Sequence, residues 1–441
     1  MYGFESNILI FCEQITHRFQ YVLEWVFHEQ LDLDFRVTFD REEWKQYQGL
    51  KINYSENRIE TEDIAIRPHK LIYESGVVEQ QLNINRWKKN TVIFYNQPGA
   101  LVPFDIFSAI FYLISRYEEY LPHKNDAHGR FDPVSSVAYQ YSFLQQPIID
   151  EWLLSFKLIL EKKFSVFLPK KQFKFLPTYD IDFAWAYLNK SKKQIWGGAL
   201  RDLFRLKLKW FFDRLAVATK SKTDPYDAFA WMEDAQKFYA LKPIYFFLVG
   251  KKGPYDRNIN PNHPAMNQLI QHTSNHAQVG LHPSYNSFCK LERVKEERDL
   301  LTQILDKPIN HSRQHYLKMK LPQSYHLLLD LDIHNDYTMG YGTVNGFRAG
   351  TSNSFLWYDL SKEIKTSLRV HPFCLMDSTS INAYGKDKES AFKEVERLVM
   401  SVKKVGGSFI SIFHNNNLGR GRENKGWHKF YQKLIELIQQ Q

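Results

Sequence analysis

Cysteine is scarce in this chain, with Cys12, Cys289 and Cys374 as the only three among 441 residues. A disulfide framework needs a denser, even-numbered set, so the count favours a reducing compartment. The first residues lack the basic stretch and the small-residue cleavage site of a secretory signal. No window approaches the ~18 consecutive apolar residues of a membrane-spanning helix. Together these absences predict a cytoplasmic location.

Charge of one sign is in excess, but the motifs of nucleic-acid binding are missing. The net charge of +9 suits an anionic partner such as nucleic acid, a phospholipid surface or a nucleotide-linked sugar. Zinc-knuckle spacing, an RNP-like pattern and an Arg-rich tail are all absent, so we expect no nucleic-acid partner. Residues 197–219 mix basic and apolar side chains. That pattern fits a helix docked on the rest of the fold, or a helix in peripheral contact with an anionic membrane.

The length of the chain exceeds the ~250–300 residues at which a single core stops growing, so we expect two domains. The seam falls at the Pro169-Lys-Lys-Gln segment. Residues 1–170 read as a small α/β domain of unknown function. Its predicted helices cover residues 7–28, 104–120 and 148–160, and its predicted strands lie at residues 35–39, 51–54, 70–73 and 91–95.

Residues 171–441 show a different pattern, in which strand candidates alternate with helical segments. Such alternation is typical of parallel strands joined by crossover helices and predicts a (β/α) barrel. The candidates lie at residues 173–179, 243–249, 278–281, 310–313, 336–339, 368–372 and 408–413. Several of them end at a chemically capable side chain, and barrel enzymes place their reactive groups at those strand ends.

Four motifs supply these side chains. Thr178-Tyr-Asp-Ile-Asp places two carboxylates at one strand end, where one can bind a metal ion while the other takes a proton. Gly280-Leu-His-Pro-Ser-Tyr delivers His282, an imidazole ligand suited to Zn²⁺. Ser312-Arg-Gln-His-Tyr presents Arg313 and His315. Ile412-Phe-His ends an apolar strand at His414, a candidate general acid.

In this order, the four motifs resemble those of the NodB-type polysaccharide deacetylases, carbohydrate esterase family four. The resemblance covers residues 174–441 and implies a distorted (β/α) barrel of NodB type, a TIM-like barrel, preceded by a smaller α/β N-terminal domain. Arg116-Tyr-Glu-Glu-Tyr-Leu and His128-Gly-Arg-Phe-Asp are similar to the N-terminal part of two-domain proteins from Bacteroidetes surface-polysaccharide clusters.

The resemblance also implies a role for each matching residue. Asp180 corresponds to the catalytic base, and Arg313 to the arginine that orients it. Asp182 and His282 correspond to metal ligands, and His414 to the histidine that protonates the leaving amine. The implied cofactor is a divalent ion, Zn²⁺ first, with Ni²⁺ and Co²⁺ as alternatives. The implied substrate is a carbohydrate.

One family position departs from the pattern. The second metal histidine is expected four residues after His282, where Asn286 stands. The third ligand is therefore His315, Asn286 or absent. We expect a hydrolase of C–N bonds other than peptide bonds that removes an N-acyl group from a surface-polysaccharide sugar or its lipid- or nucleotide-linked precursor. The alternatives are a catalytically inactive carbohydrate-binding or assembly protein, and a hydrolase of a non-sugar amide.

Overall fold

The computed structural model describes residues 7–60, 63–421 and 425–440. Its strands are β1 Asn7–Cys12, β2 Asp34–Thr38, β3 Leu50–Tyr54, β4 Ala65–Ile66, β5 Asn85–Trp87, β6 Asn90–Val92, β7 Lys174–Ile181, β8 Ile244–Phe247, β9 Gln278–Leu281, β10 His311–Ser312, β11 Asn335–Asp336, β12 Phe355–Asp359, β13 Ile364–Val370, β14 Leu375–Met376 and β15 Ser408–His414.

The helices lie between these strands and after the last of them. They are α1 His17–Leu23, α2 Arg41–Gln46, α3 Ile106–Ile114, α4 Val137–Gln140, α5 Ile148–Phe164, α6 Lys192–Phe204, α7 Leu208–Ala218, α8 Phe229–Phe238, α9 Pro264–Ser274, α10 Leu291–Leu305, α11 Gln323–Asp330, α12 Asp377–Tyr384, α13 Lys388–Val405, α14 Asn415–Leu418 and α15 Trp427–Gln439. A π-helical segment, Glu24–Leu31, continues α1. Within the described residues, no helix is both long enough and apolar enough to cross a membrane.

The N-terminal sheet has the order β2-β1-β3-β4, and all of its pairs are parallel. The prediction of a helix over residues 7–28 is wrong for residues 7–12, which form β1 and pair with β2 on one side and β3 on the other. Residues 8–12 are all buried, and a central strand of a parallel sheet is apolar on both faces. The helix begins only after Thr16, whose hydroxyl caps it by accepting a hydrogen bond from the main-chain N–H of Phe19. The predicted strand at residues 70–73 is a turn of 3-10 helix.

The second sheet has the order β12-β13-β11-β10-β9-β8-β7-β15-β14. Its pairs are parallel except for the hairpin of β12 and β13, and β12 has no counterpart in the sequence prediction. The predicted mixed α/β fold is confirmed. In the part of the chain that the structure describes, the edge strands β12 and β14 do not pair with each other, so closure of the sheet into a barrel stays a prediction.

The two sheets share a continuous apolar core. Tyr21 on α1 donates a hydrogen bond to the carbonyl of Leu356 on β12 at 2.7 Å, and the Trp25 indole donates to the carbonyl of Ser354 at 3.0 Å. The N-terminal helix therefore packs on the edge of the second sheet. The division at residues 170 and 171 stays a prediction.

Residues 191–222 form a helical hairpin rather than the predicted single helix over residues 197–219. Its two helices are α6 and α7, and Ser191 caps α6. The Arg214 guanidinium donates two hydrogen bonds to Asp202 Oδ2, at 2.7 and 3.0 Å. This buried ion pair joins the two helices.

Candidate active site

The carboxyl ends of the strands in the second sheet bring together the six side chains that the sequence singles out. These are Asp180, Asp182, His282, Arg313, His315 and His414. In the register of β7 and β15, His414 lies opposite Asp180. His282 and Arg313 directly follow the neighbouring strands β9 and β10. Parallel strands end at one edge of their sheet, and for this reason residues distant in the chain meet there.

Asp182, His282 and His315 form a buried group of side chains that could hold a metal ion, and we call these three residues the ligand group. Their donor atoms all lie within 4.8 Å of one another. His282 Nε2 is 3.1 Å from Asp182 Oδ1, and His315 Nε2 is 3.4 Å from Asp182 Oδ2. Among the described residues, no hydrogen bond reaches the buried Oδ1. Burial raises the pKa of Asp182, but the imidazoles of His315 and His282 outweigh burial and hold that pKa well below its ordinary value. The group therefore carries an ionised carboxylate.

Both imidazoles in this group are oriented through Nδ1. His282 Nδ1 lies 2.5 Å from the carbonyl oxygen of Arg313. A carbonyl only accepts, so Nδ1 carries the proton and Nε2 faces Asp182. His315 Nδ1 lies 2.8 Å from Asp256 Oδ1. Burial lowers the pKa of His315, but the two carboxylates raise it to about 9. Metal-binding histidines are held in this way, with the second nitrogen bonded to a carbonyl or carboxylate.

Asp180 is held by a fully buried arginine. Arg313 Nη1 donates to Asp180 Oδ1 at 2.8 Å and to Thr178 Oγ1 at 2.7 Å. Arg313 Nε donates to the carbonyl of Tyr337 at 2.9 Å. The other carboxylate oxygen, Asp180 Oδ2, lies 3.8 Å from His282 Nε2. The arginine thus fixes one oxygen of Asp180 and leaves the other facing the ligand group.

His414 is the third imidazole of the site, and a carboxylate holds it as well. Its Nδ1 lies 2.7 Å from Asp377 Oδ1. Asp377 Oδ2 accepts the main-chain N–H of His414 at 2.8 Å and the Asn417 amide at 2.9 Å. Burial lowers the pKa of His414, but Asp377 and Asp182 raise it to about 10. His414 Nε2 faces Asp182 Oδ2 at 3.6 Å and is therefore a proton-bearing nitrogen next to the ligand group.

Asp180, Asp182, His282, His315 and His414 line a cavity of about 540 Å³. Aromatic rings stand at its rim, where the ring centroids of Tyr255 and Tyr316 are 5.1 Å apart and those of His128 and Tyr316 are 4.9 Å apart. His128 and Arg130 belong to the loop before α4, and Arg130 Nη1 donates to the carbonyl of Tyr316 at 2.6 Å. Residues from the N-terminal part and from the C-terminal part of the chain therefore line the cavity together, and its aromatic rings lie beside the ligand group.

Two orienting carboxylates were missed or given no role in the sequence analysis. Asp256 lies in the loop after β8, and Asp377 begins α12. Neither has a spacing pattern that links it to its histidine. Asn286 lines a neighbouring cleft instead of this cavity, and its main-chain N–H donates to Asp256 Oδ2 at 3.2 Å. His371, which also follows a strand, stacks on Tyr337 outside the site.

The chain is distantly similar to solved structures of polysaccharide deacetylases. A protein assigned to that class from Mycobacterium smegmatis aligns with a TM-score of 0.38 and 10% identity, over 61% of this chain and 86% of that one. The polysaccharide deacetylase Bc1974 from Bacillus cereus aligns with a TM-score of 0.28 and 12% identity, over 60% and 88%. A mutant of BA3943, a CE4-family pseudoenzyme with restored activity, aligns with a TM-score of 0.29 and 9% identity, over 60% and 63%.

The N-terminal part matches a family of unknown function (DUF7033) over residues 8–165. No curated protein matches the chain. Because the structural alignments combine low identity with low TM-scores, the function must be argued from the geometry of the site.

Proposed function

We propose that the protein is a metal-dependent hydrolase that removes an N-acyl group, most simply acetyl, from a sugar of a surface polysaccharide or of its lipid- or nucleotide-linked precursor. One observation carries the proposal. A carboxylate and an imidazole, each held by its own partner, lie within 4 Å of the three candidate metal donors. Asp180 Oδ2 is 3.8 Å from His282 Nε2, and His414 Nε2 is 3.6 Å from Asp182 Oδ2. Residues 171–441 would be the NodB-type barrel, preceded by residues 1–170 as in the two-domain proteins of Bacteroidetes. All three cysteines are free thiols, which supports a cytoplasmic location.

The donor set fits a divalent ion of the zinc class. Two imidazole nitrogens and one carboxylate oxygen, with a further position left open, form a common catalytic zinc site. Two observations support this assignment: no hydrogen bond from a described residue reaches the buried Asp182 Oδ1, and His282 and His315 each have a partner at Nδ1. Ni²⁺ and Co²⁺ accept the same donors. A bound ion supplies Lewis-acid chemistry, because it withdraws charge from an oxygen of the substrate or of water.

Asp180 is the general base in this proposal. Arg313 occupies Oδ1, so Oδ2 is the oxygen that accepts a proton from the attacking water. The water oxygen then forms a bond to the acyl carbon. Arg313 is a positioning residue, since it acts through Asp180.

His414 is the general acid. Asp377 fixes its Nδ1, which directs the protonated Nε2 toward the ligand group. As the C–N bond breaks, His414 Nε2 gives its proton to the departing sugar nitrogen. The products are a carboxylate and an amine, and Asp180 and His414 exchange protons with solvent to restore the site.

A second, larger cleft supports a phosphate-bearing substrate. It encloses about 1600 Å³ and meets the site cavity at Phe183 and Asn416, which line both. Four acidic residues line it: Asp202, Asp213 and Glu296 are engaged in ion pairs, and Glu297 accepts hydrogen bonds from Ser284. Other lining residues are basic and make no ion pair within residues 7–60, 63–421 and 425–440: Lys190, Lys193, Arg201, Arg205, Lys207, Lys252, Arg257 and Arg293. Such a cleft attracts a phosphate or diphosphate group.

The second candidate function is a carbohydrate-binding protein without catalytic activity. Asn286 in place of the usual second histidine favours it, because an amide oxygen is a poor ligand for zinc. Metal analysis of the purified protein separates the two candidates. We expect one zinc, nickel or cobalt ion per chain that is lost in Asp182→Ala and His282→Ala. A protein that binds glycans but holds no metal in its buried site is the result that favours the binder.

A surface group complicates that measurement and provides its control. Glu233, His272 and His276 also bring their donor atoms within 4.8 Å of one another, but both histidines are exposed. His272→Ala removes uptake at the surface only, so the ion that this variant retains belongs to the buried site.

Acetate release tests the reaction itself. N-acetylated sugars with and without a linked diphosphate are the substrates, assayed with each metal. We expect Asp180→Asn and His414→Asn to lower kcat by about 10²–10⁴-fold at unchanged metal content. Asp359→Asn is the matched control, since Asp359 is a buried carboxylate bonded to His326 outside the site. Acetate release that is the same in all three variants as in the parent protein would contradict the assignment.

A further inference from the structure

The hairpin of α6 and α7, residues 191–222, exposes large apolar side chains on both helices. Trp196, Leu200 and Leu203 are spaced as on one face of a helix and are 63%, 54% and 43% exposed. The residues that α6 buries are Ala199 and Asp202. A helix in a globular protein normally turns its apolar face to the core. In α6 this arrangement is inverted.

Exposed apolar side chains continue through the turn and into α7. Phe204 is 80% exposed and Leu206 is 84% exposed. Leu208 and Phe212, one turn apart on α7, are 50% and 62% exposed, while α7 buries the charged Arg214 together with Val217. Scattered exposed apolar residues are ordinary, but a contiguous patch on one element marks a contact surface.

The hairpin also holds most of the charge excess of the chain. Residues 191–222 contain nine basic and two acidic side chains. The two acids are paired inside the hairpin, Asp202 with Arg214 and Asp213 with Lys222. The remaining basic residues of the hairpin are exposed: Lys192, Lys193, Arg201, Arg205, Lys207, Lys209 and Lys220. Four of them, Lys193, Arg201, Arg205 and Lys207, also line the larger cleft, so the hairpin lies at the border of that cleft.

We propose that this hairpin lies on the surface of an anionic lipid bilayer, with its apolar side chains in the interface and its basic side chains at the headgroups. Cationic residues around an exposed apolar helix face are the combination that interfacial helices use. A second copy of the chain fits less well, because two such hairpins would bring two strongly positive surfaces together. The proposal goes beyond the proposed reaction and depends on neither the metal nor catalysis.

Vesicle flotation tests the proposal with the full-length protein. The probes are phosphatidylcholine vesicles with and without phosphatidylglycerol. We expect binding only to the anionic vesicles, and loss of most of it when salt rises from about 0.1 M to about 1 M, where the Debye length falls from ~10 to ~3 Å. We also expect Arg205→Glu with Lys209→Glu to lower the partition coefficient by at least about tenfold.

The apolar contribution is tested with matched exposed residues. Phe204→Ser with Leu206→Ser should lower the partition coefficient by at least about tenfold. Phe167→Ser with Phe238→Ser should leave it unchanged, because these side chains are 87% and 81% exposed but lie outside the hairpin. All four substitutions are at exposed positions, and circular dichroism checks that each variant is folded.

Several outcomes would overturn the proposal: equal binding to both vesicle types, no binding to either, or equal losses in the hairpin and control variants. A concentration-dependent dimer in sedimentation that Phe204→Ser abolishes would assign the patch to a second copy instead. Asp182→Ala is run in parallel. It should bind vesicles as the parent protein does, so a failure of the catalytic proposal and a failure of the membrane proposal give different results.

Discussion

Replacing Asp256 by asparagine should weaken metal binding although Asp256 is not a ligand. Its Oδ1 holds His315 Nδ1 at 2.8 Å and accepts the main-chain N–H of Tyr285 at 2.8 Å, while Oδ2 accepts that of Asn286 at 3.2 Å. Each oxygen therefore faces a donor. An asparagine of the same shape must turn its NH₂ group toward one of them, so it loses a hydrogen bond as well as the negative charge.

The expected effect follows from the role of such partners in metal sites. Loss of a residue that orients a ligating histidine typically reduces metal affinity about 10–100-fold, or about 1.4–2.7 kcal/mol. Asp256 is 1% exposed, so water does not replace the lost hydrogen bond. We therefore expect a reduction toward the upper end of this range.

Competition with a chromophoric zinc chelator measures the affinity. Asp359→Asn is again the control, because Asp359 Oδ2 holds His326 Nε2 at 2.6 Å and is equally buried but belongs to another part of the fold. If Asp256→Asn binds zinc as tightly as the parent protein and the control, then His315 is not a ligand and the three-donor site is refuted.

Three further predictions concern stability and catalysis. Burial would raise the pKa of Glu119, but two buried arginines hold it at about 2, below its ordinary 4.5. This carboxylate therefore stabilises the fold fully above a pH of about 4.5, and the stabilisation is lost as pH falls toward 2. In urea unfolding at a series of pH values, Glu119→Gln should lower the free energy of unfolding by about 3 kcal/mol at neutral pH and reduce its dependence on pH in the acid range. An unchanged pH dependence would contradict this. Gly406 has a φ of 66°, and a methyl group there would overlap a main-chain carbonyl, whereas Gly385 has a φ of 55° and faces open space. In thermal unfolding, Gly406→Ala should therefore lower the free energy of unfolding by at least about 1 kcal/mol more than Gly385→Ala does. Equal losses in the two variants would refute the overlap. Asp377→Asn should lower kcat at least about tenfold with KM unchanged, because it releases His414 Nδ1; a change confined to KM would contradict its role.

The parts of the fold that sequence patterns anticipated are those set by local composition. β9 matches its predicted bounds, and β7 and β15 match within two residues, since each is an apolar run ended by polar or turn residues. β1 was mistaken for a helix because a fully buried strand has no alternation to reveal it. β12 was missed because its pairing with β13 is a tertiary preference rather than a local one.

The site divides in the same way. The six side chains at strand ends could be predicted, because parallel strands deliver their termini to one edge whatever the loops do. The orienting residue Asp256 could not, because it reaches His315 from a loop 59 positions away in the chain. That His315 rather than Asn286 lies beside Asp182 likewise needed coordinates, since both residues follow strand ends.

The loop with His128 and Arg130 has a consequence for how this protein can be cut or transplanted. These two residues line the same cavity as the ligand group, and Arg130 is hydrogen-bonded to the carbonyl of Tyr316. A shortened chain starting at residue 171 would keep every proposed reactive group but leave the pocket open to bulk water on that flank. Grafting residues 171–441 onto another scaffold would therefore require a substitute for this part of the lining. Under the proposed function, exchanging residues 1–170 between relatives would change which substrates enter the cavity.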